Sequence, residues 1–180
     1  MNDSINVRAA QKADIDLIIN YWFRLNAADL TKMGADINKL PSKSGFKNDL
    51  IKQLELPINQ RNVFTVIWEL NGKPIGHSNT NPTTFGDSAS IHLHLWKNST
   101  QQKGLGTQFL KKTISIYFEK LHLKTLFCEP YALNPAPNKT LPKVGFEFEK
   151  EYVTTPGSIN FEQSVNRWKM SLAQFEIIFK

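Results

Sequence analysis

A change of period near residue 100 decides most of what this chain can become. From Ser88 to Trp96 it reads SASIHLHLW, with Ile91, Leu93 and Leu95 alternating with Ser90, His92, His94 and Trp96. Strict alternation is the mark of a strand with two unlike faces. Past Gly106 the apolar residues Leu110, Ile114, Tyr117, Phe118 and Leu121 recur at helical spacing, which predicts an amphipathic helix. Between the two lies QQKGLG, Gln101 to Gly106. A strand, a glycine turn and a helix present free N–H groups and the positive end of a helix dipole, and both favour a phosphate. Gly104 and Gly106 keep side chains out of the way, and Lys103 adds a point charge.

The rest of the chain supplies a setting for that unit. Val7–Ala9 reads as a first strand, and KADIDLIINYWFRLNAADL places Ile15, Ile18, Ile19, Trp22 and Leu25 on one helical stripe behind Asp14. A second helix is expected from Phe46 to Leu56, stopped by Pro57. The intervening TKMGADINKLPSKSG reads as a loop of the kind that covers binding sites. NVFTVIWEL and KPIGHSNT flank an Asn-Gly hairpin signal and, with SASIHLHLW, predict an antiparallel meander. LKTLFCEP follows a helix, so it is expected to run parallel to SIHLHLW through a right-handed crossover. NPAPNKTLPKVGF is expected to form a loop with a short helix, and FEFEKEYV and SVNRWKMSLAQF to be the final strands. The expectation is one α+β domain over residues 1–180, with a mixed, mainly antiparallel sheet flanked by helices.

Composition removes several classes of protein. At 180 residues, 41% apolar and 21% charged, the chain has the profile of an ordinary globular protein. A single cysteine, Cys128, excludes an internal disulfide. The opening MNDSINVRAA has no apolar signal core and no apolar run reaches membrane-spanning length, so a cytoplasmic protein without membrane contact is expected. The net charge of +6 is uneven: between Lys97 and Lys124 stand six lysines against one acid, Glu119. Such a field suits an anionic ligand, either a nucleotide-like molecule or a nucleic acid. No aromatic-basic RNA motif accompanies it, so no nucleic-acid partner is expected. Four scattered histidines and one cysteine show no zinc spacing, so no metal is expected.

Competing phosphate motifs fit less well. The glycines lack the Gly-Lys-Ser/Thr ending of a P-loop, and they follow a meander rather than the first strand of a parallel βαβ unit. The chain instead resembles the GCN5-related N-acetyltransferase (GNAT) family along nearly its whole length. QQKGLG is similar to the family's Q/R-x-x-G-x-G/A acetyl-CoA loop. Asn134 to Phe146, NPAPNKTLPKVGF, is similar to the N-x-x-S-x-R-x-L-E-K-x-G-F segment, with Asn134, Leu141, Lys143, Gly145 and Phe146 at matching spacing.

The resemblance implies acetyl-CoA as co-substrate and a primary amine, small-molecule or peptide, as acceptor, joined by direct attack in a ternary complex. It implies a sheet splayed between strands 4 and 5, here SIHLHLW and KTLFCEP, with the pantetheine arm in the gap. Backbone N–H groups of Gln102, Lys103, Gly104, Leu105, Gly106 and Thr107 would hold the pyrophosphate, with Gln101, the first residue of the motif, also in the cofactor site. Leu95 and Trp96 would pair with the pantetheine, an N–H near Leu95 would polarise the thioester carbonyl, and Asn134 would bond the coenzyme from the far side. For the base, the acceptor face of the strand offers His92 and His94, with Glu129 or a water chain as further choices. His77 either reaches the acceptor pocket or simply packs. Two departures stand out. The tyrosine that protonates the departing thiolate in many members is replaced by Leu141, leaving Tyr131 as the nearest substitute. Pro135, Pro137 and Pro142 put the geometry around Asn134 in question. The missing tyrosine also keeps open a catalytically weak acyl-CoA-binding module of the same fold.

Overall fold

The computed structural model describes residues 3–96 and 104–180. Its centre is a seven-stranded sheet in the order β1-β2-β3-β4-β5-β7-β6. The strands are β1 (Ile5–Ala9), β2 (Phe64–Leu70), β3 (Lys73–Thr84), β4 (Ser88–Leu95), β5 (Thr125–Cys128), β6 (Glu147–Thr154) and β7 (Gln163–Ser171). β2 to β4 form the expected antiparallel meander, β1 adds to it antiparallel to β2, and β5, reached through a helix, lies parallel to β4.

Helices cover both faces. On one face α4 (Leu105–Leu121) buries Phe109, Leu110, Ile114, Tyr117, Phe118 and Leu121 against the sheet. On the other face α1 (Ile15–Arg24) buries Ile18, Tyr21 and Trp22 beside Ile67 of β2. The alternation of β4 assigns its side chains accordingly. Ile91, Leu93 and Leu95 belong to the α4 core, while Trp96 packs into the α1 cluster and His94 lies edge-on to Trp22.

Three local outcomes differ from the sequence-based expectation, each for a capping reason. The first helical stripe is broken at Leu25, whose backbone is extended. Asn26 then accepts the Asp29 N–H at 2.9 Å and starts a separate α2 (Ala27–Lys32). Ser42 accepts the Gly45 N–H and starts α3 (Lys43–Glu55) ahead of Phe46. The last strand stops at Ser171, whose hydroxyl and the Gln174 side chain form a capping box for α6 (Leu172–Phe179).

The prolines after Asn134 are accommodated. Asn134 caps α5 (Pro135–Thr140), so Pro135 and Pro137 fall in a first turn whose N–H groups need no helical partner. Pro142 lies past the end of α5 and opens a short 3-10 turn, Pro142–Val144.

Candidate active site

The pairing between β4 and β5 covers only Ser88, Ala89 and Ser90, opposite Thr125, Leu126 and Phe127. Beyond Ser90 the two strands part, which is the splay expected between strands 4 and 5. On its other side β4 stays paired to β3 through Leu95. Backbone direction alternates along a strand. The His92 carbonyl takes the Ser78 hydroxyl and the Trp96 N–H reaches the Ile75 carbonyl, so even-numbered residues face β3. The Ile91 carbonyl takes the Cys128 thiol, so odd-numbered residues face the gap. Leu93 and Leu95 therefore turn N–H and C=O groups into an opening where, among the described residues, no strand pairs with them. The Trp96 N–H, expected to serve the same edge, is already spent on Ile75.

The opening leads into a cleft of about 910 Å³. Gly106 of α4 lines it, and among the described residues a Cβ built there would have no neighbour within 4 Å. A helical glycine is about 1 kcal/mol worse than alanine, and among the described residues no packing contact calls for one here. The space beside the α4 backbone fits a ligand group drawn close to the helix start. Gly104, the N-cap, has φ +97°, a left-handed conformation natural to glycine. Leu105 anchors the turn in the core. Gln101, Gln102 and Lys103 lie outside the described residues, and Thr107 occupies the first turn of α4.

The histidines of the α1 face take three different positions. His92 lines the cleft, and its Nε2 lies 2.9 Å from the Asn81 carbonyl. A carbonyl only accepts, so Nε2 carries the proton and Nδ1 is left as the basic nitrogen. Among the described residues no group bonds to that Nδ1. Burial lowers the pKa of His92 below its ordinary 6.5, partly offset by the Asn81 carbonyl and the charge of Glu129. His94 also lines the cleft but is enclosed, with Tyr21 Oη at 3.5 Å from Nδ1 and His77 stacked at 4.6 Å. Burial and the two neighbouring histidines hold its pKa well below 6.5. His77 packs beneath it, 2% exposed, with its pKa lowered by burial to about 3.

Across the gap, Glu129 and Tyr131 line the cleft just beyond β5. The Glu129 carboxylate accepts from Tyr152 Oη at 2.6 Å and Arg167 Nη1 at 3.1 Å, which occupies one of its oxygens. Tyr131 rests edge-on against Phe161, ring centres 5.7 Å apart. Asn134 lines the cleft from the cap of α5. Leu141 is 0% exposed and belongs to the core. Cys128 is buried, and its thiol pKa is pushed up to about 12 by burial, then by Glu129.

On the wall opposite the gap, sequence reasoning pointed only to the segment after α1, which contributes Asp29 and Lys32. Tyr21 and Arg24 of α1, Asp29 and Lys32 of α2, and Asn160 and Gln163 near the start of β7 also line the cleft. Gln163 and Asn160 both donate to the Gly34 carbonyl at 2.8 Å, tying the β6–β7 connection to the segment after α2. These contacts join residues more than 120 positions apart, so no local pattern announces them. Among the described residues there is no group of three or more His, Cys, Asp or Glu arranged to hold a metal ion. Among the described residues no helix is long and apolar enough to cross a membrane.

The comparisons with known proteins agree with this geometry. No curated protein sequence matches the chain. Among solved structures, the fold is similar to RimL, a ribosomal L7/L12 alpha-N-protein acetyltransferase in complex with coenzyme A. The TM-score is 0.74 at 16% identity, over 95% of this chain and 96% of that one. A spermidine N-acetyltransferase from Vibrio cholerae, in complex with CoA and spermine, aligns with TM-score 0.76 at 17% identity, over 96% and 98% of the two chains. The aminoglycoside acetyltransferase AAC(6')-Ib, in complex with coenzyme A and kanamycin, gives 0.73 at 19%, over 98% and 100%. The family model of the acetyltransferase (GNAT) domain matches residues 5–147. With that match over most of its length and a sheet that opens where the family's does, the chain belongs to the GNAT acetyltransferases, enzymes whose co-substrate is acetyl-CoA.

Proposed function

We propose that this protein transfers an acetyl group from acetyl-CoA to a primary amine, the amine attacking directly while both substrates are bound. When bound, acetyl-CoA supplies the acetyl group as a reactive thioester. The residues present fit it. Leu93 and Leu95 offer an unpaired strand edge to the amides of the pantetheine arm. The bare backbone at Gly104 and Gly106, together with Gln101, Gln102, Lys103, Leu105 and Thr107, receives the pyrophosphate at the start of α4. The Leu95 N–H is a donor available to a carbonyl oxygen in the gap. Asn134 closes the far side.

An amine must lose a proton to be acylated. The observation that carries the reading is the tautomer of His92: Asn81 fixes the proton on Nε2, and Nδ1 is left to accept another. His94 is a poorer base because its Nδ1 is already occupied by Tyr21. Glu129 acts as a nearby negative charge that favours the protonated His92. Tyr131 is the phenol available to return a proton to a leaving thiolate. Tyr21, the other phenol in the cleft, contacts Met33 and His94 and has its pKa raised to about 12 by burial. The acceptors in the names of the similar structures are a protein N-terminus, a polyamine and an aminoglycoside. They support a small-molecule or peptide amine here.

Thiol release from acetyl-CoA across a panel of amines tests the reaction, and His92→Ala tests the base. The variant is expected to lose roughly 10²- to 10⁴-fold in kcat. It should also lose the acid limb of the wild-type pH profile, whose midpoint lies below 6.5 because His92 is held below that value. Unchanged kinetics in the variant would remove His92 from the role.

A further inference from the structure

Trp96 directly follows β4 and is held at three points. Its N–H donates to the Ile75 carbonyl at 2.8 Å, its carbonyl accepts from Arg24 Nη2, and its indole Nε1 donates to His77 Nδ1 at 2.7 Å. The first bond continues the sheet. The other two come from side chains that acetyl transfer, as described above, does not use.

Each has a definite chemical form. An indole nitrogen only donates, so His77 Nδ1 is unprotonated and the ring is the neutral tautomer with its proton on Nε2. Its stacking on His94, with planes 21° apart, holds the acceptor nitrogen in place. Arg24 lies on the exposed end of α1, with its guanidinium 6.0 Å from the Tyr21 ring centre, and spends one donor on a backbone carbonyl.

The consequence reaches the open edge through one peptide unit. The Leu95 carbonyl and the Trp96 N–H belong to the same planar trans peptide and point in opposite directions. With the Trp96 N–H fixed on Ile75, the Leu95 carbonyl is aimed into the gap. The pairing of β4 to β3 ends at Leu95 opposite Gly76. The two side-chain clamps keep this last peptide from fraying.

We propose that Arg24 and His77 are positioning residues for the coenzyme, clamping Trp96 from α1 and β3 and so fixing the direction in which Leu95 presents its backbone to the gap. The proposal rests on the acetyl-transfer reading, and the test separates the two. Calorimetric Kd values for CoA, with melting temperatures, are measured for the wild type, Arg24→Ala, His77→Leu and His77→Asn. Loss of one hydrogen bond is expected to weaken CoA binding roughly three- to tenfold in Arg24→Ala and in His77→Leu. His77→Asn, whose amide oxygen can stand where Nδ1 accepts, should recover most of the affinity at a melting temperature no higher than that of His77→Leu. Unchanged CoA affinity in a folded Arg24→Ala protein would overturn the proposal, and because that residue is exposed its variant decides the matter even if His77→Leu does not fold. An His77→Asn protein that binds as weakly as His77→Leu would also overturn it. A wild type that fails to bind CoA would remove the acetyl-transfer reading and the proposal together.

Discussion

The two halves of β4 share a strand and differ in what they are for. Ser88 and Ala89 are paired to β3 on one side and to β5 on the other, as interior strands are, and Ser90, at a bulge in the β3 pairing, keeps β5. Ile91–Leu95 keeps β3 but has lost β5. A sheet normally hides or blunts an unpaired edge because it invites another chain. Here the unpaired edge is not at the margin of the sheet but in its middle, between two elements that remain anchored, and it faces a cleft. The first half provides stability; the second provides a row of donors and acceptors held stiff by the first.

Proline substitution breaks the comparison most severely. Ala89→Pro removes a donor from the doubly paired half, whose residue is 3% exposed, and should cost about 3 kcal/mol or more. Leu93→Pro removes an N–H that faces the gap, so the ladder to β3 survives. That variant is expected to fold with a smaller loss of melting temperature and to bind CoA about tenfold more weakly. Equal unfolding by the two would mean that the second half is as fully paired as the first.

Acid sharpens the contrast between the faces of β4. His94 and its partner His77 are held neutral by burial, whereas an unfolded chain protonates them near 6.5. The folded pKa values are depressed, so their contribution to stability is complete above about pH 6.5 and is lost as pH falls toward the folded values, about 3 for His77. A melting curve series should show the midpoint falling below pH 6.5, and His77→Asn should reduce that slope. A slope identical in that variant would assign the acid sensitivity elsewhere.

The smallest expected effect has opposite signs in two measurements. Gly106→Ala fills space that no atom of the described residues uses and replaces a helical glycine, which should raise stability by up to about 1 kcal/mol. The same methyl group enters the proposed phosphate cradle, so the KM for acetyl-CoA should rise. Higher stability with unchanged KM would leave Gly106 as a mere turn residue.

How much of this was legible follows the range of each contact. The meander, the glycine turn and α4 are written in neighbouring residues, and the change of period near Gly104 marked them. The break between α1 and α2 is masked in the sequence because Leu25 continues the apolar stripe that Asn26 interrupts. The capping box of α6 was present as Ser171 and Gln174 but lay inside a run that also reads as a strand. The opening of β4 from β5 past Ser90 was expected through the family resemblance and not through any local period, while the burial of Leu141 and the Arg24–Trp96 contact depend on residues brought together from distant parts of the chain. Those decide the site, and local periodicity carries no trace of them.

Amide-resolved hydrogen exchange with and without CoA tests the central claim most directly. Binding along the open edge should slow exchange at Leu93 and Leu95, whose N–H groups face the gap. It should leave His92 and His94, already directed to β3, nearly unchanged. Equal protection along the strand, or none at Leu93 and Leu95 with CoA bound, would contradict the account.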